Sequence, residues 1–158
     1  MHIRQGNVRD WPFMYELGKE VIPVSISPWR QQPMKDTLKY RDKIHKGFWT
    51  WIQQTDSKVF IAENDQAESV GYLVLYPTSL EELTGLHQGW VMDLAVLQEY
   101  RKQGIGKLLM EAAEAYCREN KIYYLGLAVS SHNLQALQLY QNLGYAEERK
   151  LMVKVLKE

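Results

Sequence analysis

Cysteine is nearly absent: Cys117 is the only one in 158 residues. A disulfide framework is therefore excluded, and no Cys-Cys or Cys-His pair stands at zinc-ligand spacing, so a reducing, cytoplasmic setting is expected. Charge of one sign is lacking too. Lys plus Arg total 19 and Asp plus Glu total 19, which leaves no net field to draw the chain to nucleic acid or to an anionic membrane. No apolar run is long enough to span a bilayer, and residues 1–10 turn polar too early to form a signal peptide. His2, His45 and His132 are scattered and suggest no metal constellation. A small or locally charged partner is the expectation that remains.

Periodicity organises what is there. Residues 3–7 suit a short opening strand, and Asp10 precedes a helix whose apolar positions Phe13, Met14, Leu17 and Val21 fall at helical spacing. Residues 22–33 hold three prolines and Trp29, which predicts an ordered loop. A second helix is expected over residues 34–46, with Gly47 placed to end it or residues 48–52 to prolong it. Residues 59–63 and 69–76 flank a polar turn and read as an antiparallel hairpin stopping at Pro77. A strand over residues 90–97 follows. Ile105, Leu108, Leu109, Ala112 and Tyr116 define one face of the next helix. Residues 122–129 suggest a strand, residues 134–143 a short helix closed by Gly144, and residues 146–155 a last strand. With no repeat and no low-complexity linker, residues 1–158 are expected to form one α/β domain, antiparallel in its first half and carrying a strand-helix-strand crossover in its second.

The chemistry concentrates where the strand over residues 90–97 runs into a glycine-containing turn. In Arg101-Lys102-Gln103-Gly104-Ile105-Gly106-Lys107, a helix begins with unpaired N–H groups at the positive end of its dipole. Gly104 and Gly106 let an anion approach the backbone, and Arg101, Lys102 and Lys107 add cations, so a phosphate or pyrophosphate is the natural guest. Glycine and basic residues also begin many helices for capping alone. A Walker loop is excluded, because Arg101 replaces its first glycine and Leu108 its Ser or Thr. The dinucleotide fingerprint fails at Leu109, where a small residue should stand.

Arg101-x-x-Gly104-x-Gly106 resembles the coenzyme A pyrophosphate loop of the GCN5-related N-acetyltransferases, a likeness that takes in the preceding strand, the following helix and residues 133–145. The resemblance implies a mixed central sheet with flanking helices, in which the strand carrying Leu94, Ala95 and Val96 splays from its neighbour and offers backbone groups to a pantetheine arm. By the same likeness, N–H groups of Lys102, Gln103, Gly104, Ile105, Gly106 and Lys107 bind pyrophosphate, with Arg101 supplementing them. Asn133 is a good N-cap, and Tyr140 lies about two turns further along the same face. In the family pattern Asn133 contacts the cofactor and Tyr140 protonates the departing thiolate. Simple capping by Asn133 and core packing by Tyr140 are the alternatives. Acetyl-CoA is the implied cosubstrate.

An aliphatic ammonium must lose its proton before it attacks a thioester, so a base or a water chain is required. Many family members place an acid early in the strand before the loop; here that position is Trp90, and the nearest acid is Asp93. An aspartate within an apolar strand either faces a polar substrate cavity or is satisfied by a structural cation, and the cavity is preferred. By the resemblance, Trp29 and Arg30 fall where the family covers its acceptor, a structural tryptophan and a solvated arginine being the alternative; Glu81, Glu82 and His87 lie in the loop just upstream of the strand, where they either shape the amine site or are simply solvated loop residues. Cys117 has no nearby His to activate it, which argues against an acyl-cysteine route. These expectations converge on N-acetylation of a small amine or amino acid, with protein Nα-acetylation and a non-catalytic acyl-CoA sensor as alternatives. A homodimer is left open.

Overall fold

The computed structural model describes residues 1–157. In chain order its elements are β1 (His2–Gln5), α1 (Trp11–Ser25), α2 (Met34–His45), α3 (Phe48–Gln54), β2 (Lys58–Glu63), β3 (Ser69–Leu80), β4 (His87–Val96), α4 (Ile105–Glu119), β5 (Leu125–Leu127) and α5 (Leu134–Asn142). The strands form one open sheet in the order β1-β2-β3-β4-β5. Its first four members are antiparallel, and β5 joins β4 in parallel after the α4 crossover.

Strand periodicity divides the core into two layers. Val59, Ile61, Tyr72, Val74 and Ala95 face one way and meet Met14 and Leu17 of α1 and Ile52 of α3. Ala62, Leu73, Leu75, Val91 and Val96 face the other way, against Ile105, Leu109, Met110, Ala113 and Cys117 of α4. The mixed α/β sheet with flanking helices matches the fold expected. No helix among the described residues is long and apolar enough to cross a membrane.

Several boundaries differ from expectation for physical reasons. Helix α1 carries Pro23 inside its final turn, where the one backbone bond that proline cannot donate is lost close to the helix end, so the helix extends four residues into the proline-rich stretch. Residues 48–54 form a separate helix rather than prolonging α2. Strand β3 passes through Pro77, because the ladder register shifts between Tyr76 and Ser79 and no bond is asked of the missing N–H there. The buried face of α4 is rotated about one residue from the expected stripe, leaving Leu108 37% exposed and burying Met110, while Cys117 is buried in the helix core as expected. Residues 146–155 form no strand: a strand pattern is realised only against a partner edge, and here Leu151 and Met152 face solvent.

Candidate active site

Strand β5 pairs with β4 only at Gly89, Trp90 and Val91. Beyond Val91 the two strands part, and Met92 is the extra residue of a bulge between the Val74–Asp93 and Leu75–Val91 pairs. The Leu97 N–H donates to the Val70 carbonyl at 2.9 Å. Antiparallel alternation then turns the main-chain groups of Ala95 toward β3 and those of Leu94 and Val96 toward the open edge. The Val96 carbonyl is met there by Arg101 Nε, 2.9 Å away. The Leu94 carbonyl and the Val96 N–H thus face the open edge on the expected pantetheine strand, whereas Ala95 is committed to the sheet and the Leu94 N–H bears on the Asp93 carboxylate.

The same bond from Arg101 fastens the glycine turn to the end of β4. Gln103 Nε2 donates to the Glu99 carbonyl at 2.9 Å, and Asn64 Nδ2 donates to the Tyr100 hydroxyl at 3.0 Å. Held on these sides, Lys102 adopts φ 61° and Gly104 φ 81°, both in the left-handed region. Gly104 caps α4 with no side-chain bond. Among the described residues, no protein group accepts from the backbone N–H groups of residues 102–107. A consecutive run of unpaired donors at a helix start suits a phosphate. Gly106 also serves the packing of the helices, since a Cβ there would lie 3.1 Å from Leu139 Cδ2, and its bareness seats α5 against α4. Lys107 shares its charge with Glu111 at 3.7 Å.

Asn133 caps α5 by accepting from the Ala136 N–H at 3.3 Å. Tyr140, further along the same helix, lies edge-on to Tyr145 at 5.9 Å. Burial chiefly, and the Asp93 charge secondarily, hold the Tyr140 phenol above its ordinary pKa, so it stays protonated and able to donate. Asp93 projects to the α1 side of β4 and accepts a hydrogen bond from the Tyr72 hydroxyl at 2.7 Å. Burial pushes the Asp93 carboxyl up, opposed by the Tyr72 hydrogen bond and by the nearby His45 and Arg41. Tyr72, which supplies that hydrogen bond, is a residue the sequence reading did not single out.

His45 was also missed as part of this group. It is 7% exposed and packs against Trp11, Tyr15 and Phe48 at centroid distances of 5.6, 5.1 and 6.2 Å. Burial keeps its pKa below the ordinary histidine value, with Asp93 pulling the other way. The signal was Gly18: a Cβ there would lie 2.8 Å from His45 Nε2 and 2.9 Å from Tyr72 Oη.

Other candidates are placed elsewhere. Trp29 is 66% exposed and Arg30 is exposed, and among the described residues neither side chain bonds to Asp93. The Trp29 N–H donates to Ser27 Oγ in a local turn. Nearby, Ser130 Oγ donates to the Ser25 carbonyl at 2.7 Å, tying the end of α1 to the loop after β5. Glu81 pairs with Arg149 and accepts from the Thr84 side chain and from the Leu83 and Thr84 backbones, with its carboxyl held at about 2. Glu82 also pairs with Arg149, and a His87 ring nitrogen lies 2.8 Å from the Pro77 carbonyl. Each of these three is thus engaged in shaping the β3–β4 turn. Cys117 is a buried helix-core residue whose thiol is pushed up by burial.

The family model described as "Acetyltransferase (GNAT) family" matches residues 14–145. An uncharacterised N-acetyltransferase of Bacillus subtilis, YhfO, is 33% identical over 61% of this chain and 64% of its own length. An N-alpha-acetyltransferase of Sulfurisphaera tokodaii is 35% identical over 63% of each. The chain therefore spans less than two thirds of these curated relatives. A solved structure described as a putative acetyl transferase from Pyrococcus furiosus superposes with a TM-score of 0.81, at 22% identity, over 98% of this chain and 99% of the other, which is a likeness of fold.

Proposed function

Because the chain belongs to the acetyltransferase (GNAT) family, we propose that it moves an acetyl group from acetyl-coenzyme A directly onto a primary amine, and that the acceptor is a small amine or amino acid. The observation that carries this reading is the run of unpaired N–H groups over residues 102–107 beside the open edge of β4. The donors suit a pyrophosphate, and the free groups of Leu94 and Val96 suit an amide-bearing arm lying along the strand. Arg101, Lys102 and Lys107 add positive charge around the turn, and Asn133 stands at the start of α5. Acetyl-coenzyme A would supply the activated acyl thioester.

This chain's own residues then handle the protons. Asp93 attracts the incoming ammonium and takes its proton, so that the nitrogen lone pair becomes available. Tyr140, kept protonated by burial, donates to the departing thiolate. Cys117 stays out of the reaction, and the amine attacks in a ternary complex. Trp29 and Arg30 belong to the loop over the acceptor side, Arg30 meeting the carboxylate of an amino acid. One domain spanning residues 1–158 is part of the same reading, supported by a single sheet that receives helices on both faces.

A second reading, acetylation of protein N-termini, draws on the N-alpha-acetyltransferase relative and on the exposure of Trp29, which leaves the loop free to meet a peptide. A non-catalytic acyl-coenzyme A sensor is opposed by the buried acid at Asp93 and the protonated phenol at Tyr140. The deciding experiment is a panel of amines, amino acids and peptides assayed for release of free coenzyme A. Turnover of small amines supports the small-acceptor reading, turnover of peptide termini alone overturns it, and binding without turnover of any acceptor favours the sensor.

A further inference from the structure

Resting on the acetyl-transfer reading, we propose that Trp90 is a specificity-determining residue of the acceptor site, its indole forming a floor for an aromatic or apolar body carried by the amine that Asp93 receives. Strand register puts these two residues on one face. Val74 pairs with Asp93 and Tyr76 with Trp90, and Val74 lies in the layer that meets α1. Residues 90 and 93 of a regular strand would point to opposite faces, but the extra residue at Met92 shifts the alternation and turns both toward α1. Their partners are two residues apart on β3, which sets Trp90 about one strand repeat, roughly 7 Å, from Asp93.

The indole lies over the neighbouring strand. A Cβ on Gly126 of β5 would meet Trp90 Cζ3 at 2.6 Å and Cε3 at 2.7 Å, so the six-membered end of the ring rests on the bare backbone of residue 126. Strand β5 pairs with β4 only at Gly89, Trp90 and Val91, which puts the ring across both strands where they begin to part. Buried Gln88 has its Oε1 3.3 Å from the same Cβ position and flanks the ring at the end away from Asp93. Tyr76, the β3 partner of Trp90, stands edge-on to Trp51 of α3 at 5.4 Å and adds an aromatic wall to this end of the face.

Trp90 is half-buried, and among the described residues it packs into neither core layer. A tryptophan kept for packing would join the layer on its own side of the sheet, as Trp11, Trp49 and Trp51 do. Trp90 instead rests on a glycine, on the same face as the acid that receives the amine. An indole there offers a broad π face and no charge. An amine whose ammonium meets Asp93 therefore lays the group attached to it on the ring. Arylalkylamines and amino acids with aromatic or apolar side chains fit that floor, whereas the hydroxyls of a polyhydroxylated amine would lose water against it without gaining a partner.

The test has two arms on the full chain. The first compares kcat/KM for phenethylamine with kcat/KM for ethanolamine, and wild type is expected to favour phenethylamine by about tenfold or more. Trp90→Ala is expected to lower that ratio roughly tenfold, chiefly through the KM of phenethylamine, with acetyl-coenzyme A affinity at the wild-type value. Because loss of a large ring disturbs the sheet, Gly126→Ala, which puts a methyl group under the ring, is a second variant expected to lower the ratio, and Trp90→Phe is expected to keep most of it. A wild-type preference for ethanolamine, or an unmoved ratio in folded Trp90→Ala, overturns the floor. The second arm follows the Trp90 indole N–H resonance by NMR, identified by its loss in Trp90→Phe, as phenethylamine is titrated in with coenzyme A present. A saturable shift that ethanolamine does not produce is expected, and an unmoved resonance overturns the floor. If wild type acetylates no amine, the transfer reading fails, and the titration alone decides whether the indole receives the amine's aromatic body.

Discussion

The Tyr72 hydroxyl donates to the Asp93 carboxylate at 2.7 Å across adjacent strands, beneath the one residue of α1 that lacks a side chain. That bond favours the ionised carboxylate and so opposes the upward push of burial. Tyr72→Phe removes it, and the Asp93 pKa rises further. On the proposal that ionised Asp93 is the base, the acidic limb of the kcat profile is expected to move to higher pH by about one unit. A limb that stays in place or moves to lower pH removes Asp93 from that role.

Asp93→Asn keeps the shape of the side chain and removes its charge. Acceptor KM is expected to rise, with kcat falling as well, while acetyl-coenzyme A affinity stays at the wild-type value. Steady-state kinetics with both substrates varied separate these effects.

Tyr140→Phe leaves the ring packed against Tyr145 and removes only the hydroxyl. Turnover is expected to fall roughly a hundredfold with little change in acetyl-coenzyme A affinity. Near-normal turnover by the folded variant would exclude Tyr140 as the acid.

Cys117 is buried in the α4 layer and its thiol is held up in pKa, the opposite of an activated nucleophile. Cys117→Ser is expected to retain turnover, at a cost of roughly 1–3 kcal/mol for the buried hydroxyl. Intact-mass measurement with acetyl-coenzyme A and no acceptor is expected to find no acetylated enzyme.

Acid stability has an identifiable contributor at the start of the chain. Arg4 binds both carboxylate oxygens of Asp10, at 2.9 and 2.6 Å, and Asp10 also accepts from the Asn7 N–H at 2.8 Å. Arg4 first, and Asn7 after it, hold the Asp10 carboxyl below its ordinary value of 3.8. A lowered folded-state pKa contributes stability that is fully present above the unfolded value and is lost as pH falls through the folded one. Chemical denaturation of Asp10→Asn is expected to show lower stability than wild type at pH 7 and a shallower loss below about pH 4.

The strand, glycine turn and helix of the candidate site were legible because their residues are contiguous, and local rules govern a helix start. Asn133 and Tyr140 were legible through their helical spacing. The acid's surroundings were not: Tyr72, His45 and Gly18 lie on β3, α2 and α1, and only the crossing of α1 over the sheet brings them to one point. A histidine with no sequence neighbour of its kind looked idle, and the bare Gly18 inside a helix was the overlooked sign of close approach. Gly106 was read as serving the ligand alone, whereas Leu139 also requires its bareness. Residues 146–155 misled because alternation records a capacity to pair, and pairing needs a second edge.

The backbone cradle is tested most directly by calorimetric titration of acetyl-coenzyme A into wild type and Gly104→Val. No atom stands within 4 Å of a Cβ at Gly104, so the substitution strikes no neighbour and acts through the φ of 81° that a branched residue resists. With helix content unchanged by circular dichroism, affinity is expected to fall at least about tenfold, as the donors of residues 102–107 lose their common focus. Unchanged affinity in the folded variant would contradict the assignment of this turn as the site that holds the coenzyme A pyrophosphate.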